Sequence, residues 1–185
     1  MPATPLKRPL KWSIEDYHEI INTGILAQRR VELIAGEILE MAPESADRTY
    51  SWGSLVTRLS QMLGDRALVR PPAPITLSQS EPEPDIAIVT GTWERYIDRH
   101  PSADDIFWLI DISRSTLAFD RTVKAPLYAT EGIAEYWIIN LKERQLERYR
   151  QPSPTHYRER QVLTGGAIAP LAFPDCILEV RSLFP

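Results

Sequence analysis

Apolar residues recur at helical spacing in two parts of the chain. In residues 45–65 they fall three and four positions apart, which predicts the longest helix, ended by Gly64. The apolar positions there are Leu55, Val56, Leu59, Met62 and Leu63. The stretch S-I-E-D from Ser13 resembles a capping box, and it predicts a shorter helix that runs to about Thr23.

Short β-rich runs lie between the helices. Residues 106–112 (IFWLIDI) and 135–139 (EYWII) show no alternation, which is typical of strands covered on both faces of a sheet. A helix is predicted between them at about 121–130, with Pro126 in a kink or in its first turn. Further strands are predicted at 31–34 and 38–41, as a hairpin, at 75–77 and 85–89, and in a C-terminal meander of the segments LERYR, HYRERQVL and ILEV.

This order of elements favours an α/β fold in one domain, with a mixed β-sheet flanked by helices. The predicted domain covers residues 13–185. Residues 1–12 are rich in proline and basic side chains, and they are predicted to form a flexible arm.

Composition narrows the function classes. The 185 residues carry 21 Lys and Arg against 25 Asp and Glu, a net charge of −4, which argues against a dedicated, highly basic nucleic-acid coat protein. An enzyme that meets nucleic acid over one local basic face remains compatible with this balance. Candidate phosphate contacts are Arg29, Arg30, Arg58, Arg66, Arg70, Arg114 and Arg121, although each taken singly also fits a solvated surface arginine.

The single cysteine, Cys176, excludes an internal disulfide, and the three histidines lie far apart in sequence, which excludes Cys/His zinc sites. The N-terminus lacks the apolar segment of a signal peptide, and no run approaches the roughly 20 apolar residues of a membrane span. A cytoplasmic protein is expected.

Two aspartates stand where strands are expected to be buried. Asp111 interrupts IFWLIDI, where an ionised carboxylate is costly unless it is paired or bound to a metal. Asp85 opens its strand directly after Pro84, which holds the preceding backbone extended. The plainer readings are a carboxylate that reaches water at the exit of its strand, for Asp111, and a turn residue, for Asp85.

Lys124 and Glu32 are the other candidates. Lys124 shares a predicted helix face with Asp120 and Tyr128, and this helix directly follows the strand of Asp111. Glu32 lies in the first arm of the hairpin, on the face opposite Val31 and Leu33. A surface ion pair and an exposed strand glutamate are the plain alternatives. Together with the two aspartates, these residues suit a Mg²⁺ site of hard oxygen ligands with a lysine nearby.

Four segments in order resemble a large bacterial family of putative restriction endonucleases within the PD-(D/E)XK nuclease superfamily. They are VELIAGEILEMAP, Pro84-Asp85, LIDIS and DRTVKAPLYATEGIAEYWIINL, and the resemblance covers residues 12–184.

The resemblance implies a restriction-endonuclease-like core and a Mg²⁺-dependent nuclease, with Mn²⁺ able to substitute. Asp85 and Asp111 would be metal ligands, together with the Ile112 carbonyl and Glu32, and Lys124 would be the catalytic lysine. The family more often has glutamate at the second acid, here Asp111. Its usual lysine position, two residues after that acid, is Ser113.

The leading hypothesis is therefore a DNA endonuclease, a phosphodiester hydrolase acting as a homodimer. A nuclease-fold protein that binds nucleic acid or a partner without cutting is the alternative. It predicts that an intramolecular partner such as Lys124 satisfies Asp111. A serine hydrolase using Ser113 or Ser115 is disfavoured because no G-x-S-x-G motif is present.

Overall fold

The computed structural model describes residues 8–43 and 45–185. Most of the predicted flexible arm, residues 1–7, lies outside the described residues. The rest of it runs alongside the hairpin: the Trp12 amide donates to the Gly36 carbonyl at 2.9 Å, and Lys11 Nζ lies 2.6 Å from a carboxylate oxygen of Glu37.

A six-stranded mixed sheet forms the centre of the molecule, as predicted. Its strands, in spatial order, are β3 (Leu68–Arg70), β4 (Ile86–Val89), β5 (Ile106–Ser113), β6 (Glu135–Asn140), β7 (Gln145–Pro152) and β8 (Tyr157–Leu163). Only β5 and β6 pair in parallel. A parallel pair needs a crossover connection, and the helical stretch between these two strands supplies it.

The hairpin of β1 (Val31–Ile34) and β2 (Glu37–Glu40) stands outside this sheet and turns at Ala35 and Gly36, both with positive φ. It is joined to the segment that leads into β4 by a bridge between Leu33 and Glu81, and by hydrogen bonds from the Ala35 amide to Ser80 Oγ and from the Gly36 amide to the Gln79 carbonyl. This bridge matters for the site, because it holds Glu32 next to the segment that carries Asp85.

Helices cover both faces of the sheet. Helix α1 (Ile14–Asn22) begins at a complete capping box between Ser13 and Asp16, and α2 (Ala46–Leu63) ends at Gly64, as predicted. The crossover helix has three parts: α3 (Leu117–Phe119), a π-helical turn (Asp120–Lys124) and α4 (Ala125–Thr130). Pro126 lies in the first turn of α4, directly after the π-helical turn.

Strand β5 divides its side chains between two apolar clusters. Ile110 and Ile112 pack with α2, whereas Leu109 lies in the cluster that contains α4. Asp111 alternates with these isoleucines and therefore projects toward the crossover helix. This placement brings its carboxylate to the residues of the π-helical turn.

Some local predictions were wrong. Residues 75–77 form no strand, because Ile75 and Leu77 hydrogen-bond to Pro82 and Ser80 within their own loop. The segment ILEV does not join the main sheet: β10 (Leu178–Glu179) pairs with β9 (Ala167–Ile168) in a separate two-stranded sheet, and Leu178 packs into the cluster beneath α2. Strand β3 was not predicted.

In the part of the chain that the structure describes, no helix is both long and apolar enough to cross a membrane.

Candidate metal and catalytic site

The pairing of β4 with β5 brings the two predicted aspartates together. Ile86 lies opposite Ile110 in this antiparallel pair, so the next position outward sets Asp85 opposite Asp111. Residues directly opposite each other project to the same face with their Cβ atoms about 5 Å apart. Both aspartates are 1% exposed. Two sequence-distant carboxylates thus share one buried end of the sheet.

Lys124 is the nearest cation to Asp111. Its Nζ lies 2.9 Å from Asp111 Oδ1, and the Tyr136 hydroxyl donates to Asp111 Oδ2 at 2.9 Å. Lys124 is 4% exposed, and it also donates to the Glu83 carbonyl at 3.4 Å. Burial by itself would lower the pKa of Lys124, but Asp111, Tyr128, Glu32 and Asp120 together outweigh it, and the pKa lies well above its ordinary value. Lys124 is therefore a fixed positive charge inside the site.

Asp85 is held by groups from two other elements. Arg48, from the first turn of α2, lies 2.7 Å from Asp85 Oδ1, and the Ile112 amide donates to Asp85 Oδ2 at 2.6 Å. Burial, followed by the negative charge of Asp111, raises the pKa of Asp85 from 3.8 to about 7, against the lowering effect of Arg48. Two carboxylates crowded in this way resist being ionised together, and added positive charge would relieve them.

Glu32 closes the cluster from the hairpin. Its side chain is 8% exposed, its Oε2 accepts from the Glu83 amide at 3.2 Å, and the same oxygen lies 4.0 Å from Lys124 Nζ. The face of β1 opposite Leu33 is thus buried as well, against the segment that leads into β4. The structure thus places Glu32 and Asp111 beside the ammonium group of Lys124, with Asp85 opposite Asp111.

The Ile112 carbonyl lies on the same edge of β5 as the Ile112 amide, because both groups of one strand residue point to the same side. That amide donates to Asp85. The carbonyl therefore lies on the Asp85 side of the strand.

Three further residues belong to this site but were not predicted to act there: Arg48, Asp120 and Tyr136. Arg48 gave no sequence signal, because its contact with Asp85 joins residues 37 positions apart. Asp120 was placed only on the face of Lys124. Burial, and then the charge of Asp111, raises the pKa of Asp120 to about 6.

Ser113, at the usual lysine position of the family, is fully buried, and its hydroxyl donates to Asp120. The Thr116 hydroxyl donates to the same carboxylate at 2.9 Å. Ser113 thus helps to fix Asp120 beside the site and takes no place in a nucleophilic triad.

A cleft of about 340 Å³ opens onto this cluster. Its lining includes Glu32, Arg48, Asp120 and Lys124, together with apolar residues of β2 and Phe119. Substrate-sized groups can therefore approach Lys124, Glu32 and Asp120 from one side, whereas Asp85 and Asp111 are not part of this lining.

The donor set suits a divalent cation in kind, although the carboxylates are occupied by protein partners. Among residues 8–43 and 45–185, no group of three or more His, Cys, Asp or Glu is arranged to hold a metal ion. Asp111 uses two of the roughly four lone-pair positions of a carboxylate, so it retains capacity for a hard cation.

The Tyr128 hydroxyl also has capacity to contact a further group in the site. It is completely buried and has no hydrogen-bond partner among the described residues. Burial raises the pKa of this hydroxyl, and the charged groups of Lys124, Asp111 and Glu32 lie within electrostatic range of it. A buried polar group left unpaired costs free energy, and a further polar species bound in the site would satisfy it.

Comparisons with known proteins concern the family and the fold of the chain. The family model Uma2, described as putative restriction endonuclease, matches residues 14–181. A crystal structure of a putative nuclease belonging to DUF820, from Anabaena variabilis, superposes with a TM-score of 0.71 at 15% sequence identity, over 95% of this chain and 97% of that one. At this identity the likeness shows the fold alone. No curated protein sequence matches the chain.

Proposed function

Because this chain belongs to the Uma2 family of putative restriction endonucleases, we propose that it is a Mg²⁺-dependent endonuclease that hydrolyses phosphodiester bonds of DNA. One observation carries the proposal. Glu32 and Asp111 lie beside the buried ammonium group of Lys124, and Asp85 lies opposite Asp111 at the start of the neighbouring strand, so three acids that are distant in sequence meet at one end of the sheet.

Asp85 and Asp111 are the residues that would hold the metal, with Glu32 and the Ile112 carbonyl as further oxygen donors. A bound Mg²⁺ ion would supply Lewis-acid activation of a phosphate oxygen and of water. The raised pKa of Asp85 fits this role, since burial and the charge of Asp111 disfavour the ionised carboxylate, and a bound cation would favour it. Mn²⁺ has the same preference for oxygen ligands and is expected to substitute.

Lys124 has the role of stabilising charge. A fixed ammonium in a site of low water content interacts strongly with the negative charge that develops on a phosphoryl oxygen in the transition state. Lys124 is suited to this because its pKa is raised and its side chain is held at 2.9 Å from Asp111. The Tyr128 hydroxyl lies within electrostatic range of Lys124 and has a free donor for a polar group that enters.

The finer parts of the proposal concern the setting of the reaction. The substrate is DNA, the enzyme acts in the cytoplasm, and two copies act together as a homodimer, because two sites cut the two strands of a duplex most simply.

Titration calorimetry with Mg²⁺ and Mn²⁺ tests the metal site first. We expect the wild type to bind and Asp111→Asn to lose binding, because a neutral amide is a much weaker ligand for a hard cation. Asp105→Asn is the matched control: Asp105 is also buried, 3% exposed, and it lies next to the opposite end of β5, paired with Arg95 and Arg99. Binding by Asp111→Asn with the affinity of the wild type would contradict the site, whereas loss of binding in both variants would show that the loss comes from general unfolding.

Cleavage is then tested on supercoiled, linear, methylated and single-stranded DNA. We expect Mg²⁺-dependent nicking that Asp85→Asn and Lys124→Met abolish while Asp105→Asn retains it. If calorimetry shows metal binding and Lys124→Met still cleaves at the wild-type rate, the assigned role of Lys124 is wrong.

A second function, binding of nucleic acid without cleavage, is favoured by one observation. Asp111 is already satisfied inside the protein by Lys124 and Tyr136, which is what this alternative predicts. It expects no metal binding by a folded wild type, with or without DNA, and no effect of Asp111→Asn on affinity for DNA. Metal binding that depends on Asp111 would refute it.

A further inference from the structure

We propose that a basic groove beside the carboxylate cluster is the surface that binds the DNA backbone, and that the ion pair between Asp47 and Arg114 holds its phosphate-binding arginine in the absence of DNA. The basic groove is the cleft lined by Ser45, Arg48, Arg114, Ser115, Thr116 and Lys142, with a volume of about 720 Å³. This inference rests on the proposed function and names the surface and the residues that function requires.

The groove lies next to the cleft of the site. Both are lined by Ala42, Arg48 and Thr116. Arg48 lies at the junction, because its guanidinium pairs with Asp85 while its side chain also lines the groove. A strand lying in the groove thus leads directly to the acids and to Lys124.

The lining of the groove has the chemistry that a phosphate backbone requires. It combines three cationic side chains with three hydroxyl groups, and both kinds are common phosphate contacts. Asp47 is the one acidic side chain among the described lining residues. Lys142 makes no ion pair among the residues that the structure describes. A chain with a net charge of −4 thus concentrates positive charge next to its acidic site.

Asp47 and Arg114 form an ion pair at the wall of this groove, with 30% and 62% of their side chains exposed. An exposed pair contributes little to stability, so a phosphate can take the place of Asp47 at small cost. Asp47 therefore acts as a competitor that a DNA phosphate displaces from Arg114.

Fluorescence anisotropy with a short labelled duplex tests this, with EDTA and again with Ca²⁺. We expect Arg114→Gln to weaken binding severalfold and to reduce the slope of log affinity against log salt by about 0.9, the effect of one lost phosphate contact. We expect Asp47→Asn to strengthen binding about twofold to fivefold, the equivalent of an exposed ion pair. The double variant should lose this gain, since the gain acts through Arg114.

Lys11 and Glu37 provide the matched control. They form an exposed ion pair at 2.6 Å, with 54% and 55% of their side chains exposed, and neither lines the groove. Lys11→Gln and Glu37→Gln make the same charge changes and should leave affinity and salt slope unchanged.

The outcomes separate this inference from the proposed function. If the wild type binds DNA and the groove variants behave like the controls, the groove is wrong and the nuclease proposal stands. If the wild type does not bind the duplex in the presence of EDTA or in the presence of Ca²⁺, the DNA-binding function itself is refuted, and the groove with it. Preferential binding of an RNA duplex of the same sequence would overturn the choice of DNA.

Discussion

Replacing Lys124 with methionine tests whether the site is a buried electrostatic unit. Methionine keeps much of the length of the lysine stem but removes the charge, and it leaves Asp111 with the Tyr136 hydroxyl as its remaining contact. Two unit charges 2.9 Å apart attract by about 6 kcal/mol at an effective dielectric constant of 20. Breaking a buried pair by removing one partner typically costs about 3–5 kcal/mol.

A double-mutant cycle isolates this coupling. Lys124→Met and Asp111→Asn should each destabilise the protein, and the double variant should be destabilised by about 3–5 kcal/mol less than the sum, because neither charge is then buried alone. The assay is urea unfolding followed by tryptophan fluorescence, with EDTA present. Trimethylamine N-oxide restores a folded baseline if a single variant is too unstable, because it strengthens effective burial.

Lys11 and Glu37 form the matched control cycle. This lysine–carboxylate pair is equally short at 2.6 Å, but its side chains are 54% and 55% exposed. Its coupling should be about 0–1 kcal/mol. Equal coupling in the two cycles would refute the reasoning, since burial would then add nothing to the interaction of Lys124 with Asp111.

Three further predictions follow from the same cluster. Tyr128→Phe should stabilise the metal-free protein by about 1 kcal/mol, because it removes a buried hydroxyl that has no hydrogen-bond partner. Tyr136→Phe should destabilise it by about 2 kcal/mol, because it removes a donor to Asp111. Urea unfolding of both variants checks the opposite signs. The pKa of Asp85 in the folded protein is raised from 3.8 to about 7, so the wild type should lose stability relative to Asp85→Asn as pH rises from about 4 to 7, by up to about 4 kcal/mol. If the difference in unfolding free energy between the two proteins does not change with pH in EDTA, the assignment is contradicted. At a Mg²⁺ concentration 100 times the dissociation constant, the wild type should gain about 2.7 kcal/mol of stability, which EDTA reverses and Asp111→Asn lacks.

Local sequence patterns determined most of the secondary structure. The capping box at Ser13, the apolar stripe of α2 and the unbroken apolar runs of β5 and β6 are local signals, and each one appears in the fold. The same runs made Asp111 stand out, because a charge among buried residues is costly wherever the chain folds.

Tertiary structure alone decided which partners these residues have. Strand β3 and the separate pair of β9 and β10 depend on contacts with residues far along the chain, which no local pattern carries. The same holds for Arg48, which reaches Asp85 only because α2 begins beside the end of β4.

The clearest case is Lys124. The sequence placed it on a helix near the strand of Asp111, with a solvated ion pair as the plain alternative. The π-helical turn and the packing of the crossover helix against the sheet bury it against Asp111 and Glu32. The energy of a charge pair depends on how much water remains around it, and only the folded chain sets that.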